Sequence, residues 1–130
     1  MDAQNMMARL ETAKTLVTRA NTYAENGDSA KAISSLREAI GIFDSALRLD
    51  PHNQSTLFHL AWSSAELGGM YRSMALLGRN SEWLNATECY ERSDRYLQRL
   101  KLGGKLLGIL DDRRLRQEVP ARLAECRRHL

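Results

Sequence analysis

The sequence predicts an all-α fold: antiparallel helical hairpins of a TPR-like or helical-bundle kind, with four long helices and a C-terminal capping helix. Three observations lead there. The 130 residues include only two prolines, and two Phe, two Trp and four Tyr are their only aromatic residues. No run of alternating Val, Ile and Thr marks a half-buried strand. Apolar residues recur instead at three- and four-residue steps along several long stretches, the period of one helix face. A chain of this length fits one domain and buries a core without staples.

The first helix is expected from about residue 3 to 26, with Met7, Leu10, Val17, Ala20 and Ala24 on its apolar face and Gly27 as its stop. The second starts at Asp28 or Ser29, either a good N-cap, and carries Ala32, Ile33, Leu36, Ala39, Ile40, Phe43, Ala46 and Leu47. Asp50-Pro51 ends it near residue 49, because the residue before a proline is pushed out of helical space. Together these form a first hairpin over about 3–49.

The second hairpin is expected over about 54–102. Its first helix opens near 53–55 and places Leu57, Leu60, Ala61, Ser64, Leu67, Tyr71 and Met74 on one face. Gly68-Gly69 lies inside it, and each glycine costs about 1 kcal/mol relative to alanine in a helix interior. The apolar period passes the pair without a phase jump, so continuity is expected, with close packing as the compensation. A turn at Gly78 to Ser81 leads to a fourth helix bearing Leu84, Ala86, Tyr90, Ser93, Leu97 and Leu100, which Gly103-Gly104 ends. A linker is expected over 103–117 and a last helix over about 118–129, with Pro120 in its first turn. Leu106, Leu107, Ile109 and Leu110 in that linker are read as a plug over the end of the helix stack, self-association being the alternative.

The layout contains an internal repeat. Ala32, Leu36, Ala39, Phe43 and Ala46 superpose on Ala86, Tyr90, Ser93, Leu97 and Leu100. Ala20 and Tyr23 likewise correspond to Gly68 and Tyr71. Through Ala20, Tyr23, Gly27, Asp28, Ala32, Leu36 and Ala39, and through Leu67, Gly68, Tyr71, Ala86, Tyr90 and Ser93, the chain resembles the tetratricopeptide repeat (TPR) over about residues 10–100. The end Ala46-Leu47-Arg48-Leu49-Asp50-Pro51 resembles the end of such a repeat, arriving two turns late. Residues 16–50, with Leu16, Val17, Ala20, Ala32, Ile33, Leu36, Ala39, Ile40, Phe43, Ala46 and Leu47, also resemble the first two helices of MIT (microtubule interacting and trafficking) domains, which need no lengthening of the second helix.

Both resemblances imply a non-enzymatic adaptor that binds a peptide or helix of another protein in a groove between helices. In the TPR-like register that groove includes Lys14, Val17, Thr18, Asn21 and Glu25 of the first helix and Trp62, Glu66 and Arg72 of the third. Lys14 and Asn21 are candidates for a partner carboxylate and Trp62 for an apolar anchor. The competing readings are a solvated surface for Lys14, Asn21 and Arg72, and core packing for Trp62. The carboxylate clamp of TPR proteins needs more basic and amide positions than these, so capture of a peptide C-terminus is not expected.

Other chemistry is weakly signalled. Residues 1–100 carry eleven Lys/Arg against twelve Asp/Glu and residues 101–130 carry eight against four, so the basic excess lies in the tail. It is read as a solvated helix face, since no aromatic stacking residue accompanies it. The alternative is contact with nucleic acid or an acidic surface through Arg113, Arg114, Arg116, Arg122, Arg127 and Arg128. His52, His59 and His129 are too scattered for a metal site with Cys89 or Cys126, and Cys126 with His129 supplies only two ligands. Asp111-Asp112 precedes Arg113-Arg114 and is read as charge balance and capping rather than acid–base chemistry. No nucleophile-elbow, P-loop, dinucleotide or zinc-protease motif occurs, so neither an enzyme nor a cofactor is expected. Two cysteines without paired spacing, no apolar leader and no long apolar run lead to the expectation of a reducing, cytoplasmic setting without membrane insertion. A homo-oligomer remains a further reading of the unpartnered helix faces.

Overall fold

The computed structural model describes residues 3–102 and 112–130. Among these, every element is helical: α1 (Ala3–Glu25), α2 (Ser29–Leu49), α3 (Gln54–Leu76), α4 (Glu82–Leu102) and α5 (Asp112–Arg128). The first four match the boundaries read from the apolar period. Local chemistry sets their ends. The Asp28 side chain accepts a hydrogen bond from the Lys31 N–H at 3.1 Å, and Asn53 accepts from the Thr56 N–H at 2.9 Å, each satisfying an orphan donor of a first turn.

At the end of α1, Gly27 takes φ +80°, which lets its N–H reach the Ala24 carbonyl at 3.1 Å and the Asp28 N–H reach Tyr23 at 2.8 Å. The same six-residue closure recurs at Gly78, φ +106°, where the Arg79 N–H bonds the Met74 carbonyl at 3.2 Å. A side chain with a Cβ is strained in that left-handed region, so glycine is the residue that permits both stops.

The helices form two antiparallel hairpins, α1 with α2 and α3 with α4, joined by packing of α2 on α3. The fifth helix lies on α4 and also touches α3. The ten repeat residues on α2 and α4 are all buried, with Ala32, Leu36, Ala39, Phe43, Ala86 and Ser93 fully enclosed. Small residues bring the axes together and large ones fill the remaining space. The α3–α4 contact is close at Gly68, where an added Cβ would stand 3.1 Å from three carbons of the Tyr90 ring. Continuity of α3 through Gly68-Gly69 therefore has the reason expected for it: the missing side chain is the space that Tyr90 occupies.

Polar links fix the register of neighbouring helices within and between the hairpins. The Ser93 hydroxyl donates to the Ala61 carbonyl at 2.7 Å inside the α3–α4 interface. The Tyr96 hydroxyl donates to Asp44 at 2.9 Å, and Arg99 donates to the Pro51 carbonyl at 2.7 Å, tying α4 to α2 and to the loop after it. Arg37 of α2 donates to the Tyr71 hydroxyl of α3.

The last helix departs from expectation. It starts at Asp112 rather than near residue 118, so the expected linker over 103–117 is shortened and Pro120 lies well inside the helix instead of in its first turn. Proline has no N–H for the Arg116 carbonyl, yet Pro120 is exposed while Leu115, Val119, Leu123 and Cys126 are buried. Pro120 thus interrupts the helix on its solvent side, away from the packed face. The apolar residues Leu106 to Leu110 and Asp111 lie outside the described residues. No helix among the described residues is long and apolar enough to cross a membrane.

Candidate protein-interaction surface

The candidate surface follows the outer stripe of α3, in which Phe58, Trp62 and Glu66 succeed one another at four-residue steps. Its first half is aromatic. Phe58 and Trp62 lie with ring centroids 6.2 Å apart and 29° between planes, while His59 stacks on Phe43 of α2 at 5.1 Å and 4°. Phe58, His59 and Trp62 are each only half-buried, so these rings leave part of their area to solvent. Burial pushes the His59 imidazole below its ordinary value, and Lys14 of α1 pushes it further.

The second half of the stripe turns toward α5. Burial raises the Glu66 carboxyl, opposed by Arg114 and reinforced by Glu118, both on α5. One turn and a half further on, the Arg72 guanidinium grips Glu125 through two hydrogen bonds, Nε to Oε1 at 2.5 Å and Nη2 to Oε2 at 3.0 Å. That bidentate geometry holds the Glu125 carboxyl below the usual glutamate range. Arg122 adds a second cation at 3.5 Å.

These positions divide the residues singled out in the sequence into two groups. On α1, Lys14, Thr18, Asn21 and Glu25 are exposed and Val17 is half-buried against the core. Lys14 pairs with Glu11 at 3.3 Å along its own helix, and the Thr18 hydroxyl donates back to the Lys14 carbonyl at 3.2 Å. On α3, Trp62 belongs to the aromatic half of the stripe, whereas Glu66 and Arg72 engage α5. The arginine is thereby committed to an internal ion pair rather than left on a solvated surface. Phe58 stands one helical turn before Trp62, so the same helical period places it on this stripe, whereas His59 enters through its stack on Phe43 rather than as a metal ligand.

Family models, curated proteins and solved structures give no match to this chain. The surface must therefore be judged on its own geometry.

Other candidate sites fare less well. A cleft of about 400 Å³ between α2 and α4 is lined by Asp44, Leu47, Arg48, Pro51, Tyr96 and Arg99. Its polar groups serve one another: Tyr96 holds Asp44, Arg99 holds the Pro51 carbonyl, and Arg48 reaches Ser45 at 3.3 Å. It reads as a brace between hairpins. Cys126 is fully buried, and the His129 ring lies flat on Trp83 with centroids 3.9 Å apart, so each member of that pair has a packing role. No cluster of three or more His, Cys, Asp or Glu side chains suited to a metal occurs among the described residues. The half-buried Cys89 thiol is pushed up to about 11 by burial, which keeps it protonated and a poor nucleophile.

Proposed function

We propose that this chain is a non-enzymatic recognition module that takes a peptide or helix of a partner protein against the outer stripe of α3, between α1 and α5. One observation carries the reading: the Phe58–Trp62 pair of α3 is only half-buried, and the charge of Lys14, exposed on α1, reaches His59 next to Phe58 on the same helix. An aromatic pair of this kind supplies anchoring area at little conformational cost, and the neighbouring polar groups supply direction and specificity.

A TPR-like rather than MIT-like reading is favoured by the extent of the stack. An MIT-like unit accounts for α1 to α3, whereas repeated hairpins account for α4 and for the way α5 lies on both α4 and α3. The repeat itself is represented by the equivalent buried positions of α2 and α4.

The test is affinity capture with wild-type chain, Trp62→Ala and Lys14→Glu, each first checked for helicity by circular dichroism. The expected result is a partner retained by the wild type and lost or weakened in both variants. If both fold and retain every partner, the groove assignment is wrong.

A further inference from the structure

A second surface lies at the end of the molecule where α3 turns into α4, away from the aromatic half of the α3 stripe. Leu76, Leu77 and Leu84 flank this turn and are 55%, 87% and 53% exposed. The end of α5 is fastened to the same place by the His129–Trp83 stack, which brings Arg127, Arg128 and the 66% exposed Leu130 alongside. Among the described residues neither Arg79, in the turn, nor Arg128 has an ion-pair partner. Arg127 meets Glu91 at 3.7 Å in an exposed pair that holds it weakly. Glu82 is the acidic residue nearest the turn, and its carboxylate accepts a hydrogen bond from Asn85 at 2.9 Å.

We propose that this tip docks peripherally on an anionic lipid surface. Shape and charge both favour that occupant. The leucines protrude from a turn and a helix end rather than lining a groove, so a flat, deformable interface covers them where a rigid protein surface would need a matching pocket. The arginines flank them, and their stems can lie along the apolar region while the guanidinium groups reach lipid phosphates. A second copy of the tip would instead set Arg79 and Arg128 against the same cations. The absence of a membrane-crossing helix among the described residues limits this to surface association.

Vesicle flotation of the full chain tests the proposal, using phosphatidylcholine alone and phosphatidylcholine mixed with phosphatidylserine. Binding is expected to the mixed vesicles only and to weaken as salt is raised. Arg79→Ala and Arg128→Ala should each lower partitioning about fivefold, and Leu77→Ser about tenfold. All three positions are exposed, so unchanged circular dichroism is expected. Failure to bind mixed vesicles at low salt would overturn the proposal. So would binding that survives Leu77→Ser, because then the leucines are not inserted. A dimer that sediments in the wild type, dissolves in Leu77→Ser and ignores vesicles would assign the tip to a second copy instead.

Discussion

Substituting the two adjacent glycines of α3 separates packing from helix propensity at one place in the fold. Gly69→Ala adds a Cβ 3.6 Å from the Tyr90 hydroxyl oxygen, an ordinary contact. It should therefore stabilise by up to about 1 kcal/mol, the intrinsic gain of Ala over Gly in a helix. Gly68→Ala makes the same intrinsic gain but adds a Cβ 3.1 Å from three ring carbons of a Tyr90 that is 3% exposed. Overpacking of an enclosed ring costs about 1–3 kcal/mol, which outweighs the gain and leaves a net loss of about 1 kcal/mol. Two chemically identical changes in neighbouring residues should thus differ by about 2 kcal/mol, or roughly 6–10 °C in Tm for a chain of this size. Urea unfolding followed by circular dichroism reads the difference through the midpoint at constant slope. A double-mutant cycle with Tyr90→Leu should recover part of the Gly68→Ala loss. Equal stabilisation by both alanines would refute the close α3–α4 approach.

Further consequences follow from the polar groups. Ser93→Ala removes the 2.7 Å bond to the Ala61 carbonyl and should destabilise by about 1 kcal/mol, whereas Ser64→Ala removes a buried hydroxyl with no partner and should be neutral or stabilising; thermal melts compare the two. Arg72→Ala should destabilise by about 1–2 kcal/mol at neutral pH by leaving the partly buried Glu125 without its bidentate partner. Because Arg72 depresses the folded-state pKa of Glu125, the pair's contribution is present above the ordinary value of 4.5 and is lost as pH falls through the folded value. Acid unfolding of Arg72→Ala should accordingly show a shallower loss of stability below that pH than the wild type. Glu66 has the opposite sign: burial raises its carboxyl above 4.5, so its ionised form opposes folding at neutral pH. Glu66→Gln should be more stable than wild type at neutral pH in a denaturant titration, with the advantage shrinking as pH falls through the raised value.

Much of this architecture is legible locally. Ala20, Ala32 and Ala39 are fully buried where their spacing placed them between helices, and Gly27, Asp28 and Asn53 end and start helices through backbone geometry and short-range hydrogen bonds. The Gly68-Gly69 pair is legible only in part. The period predicts an unbroken helix, but the reason is the Tyr90 ring on another helix. Taken alone, Pro120 marks a first turn, and what permits it inside α5 is its exposed position. The surface shows the same division. Trp62 and the exposed face of α1 follow from helical spacing, whereas the pairing of Arg72 with Glu125 depends on how α5 lies over α3. No periodicity within α3 carries that information.

Photo-crosslinking tests the central claim most directly. A reactive amino acid is placed at Asn21, on the exposed face of α1, and separately at Glu38, exposed on α2, in the full chain under conditions where affinity capture retains a partner. The account predicts a crosslink to that partner from position 21 that Trp62→Ala abolishes, and none from position 38. A crosslink from position 38 alone, or one from position 21 that persists in folded Trp62→Ala, would contradict recognition at the α3 stripe.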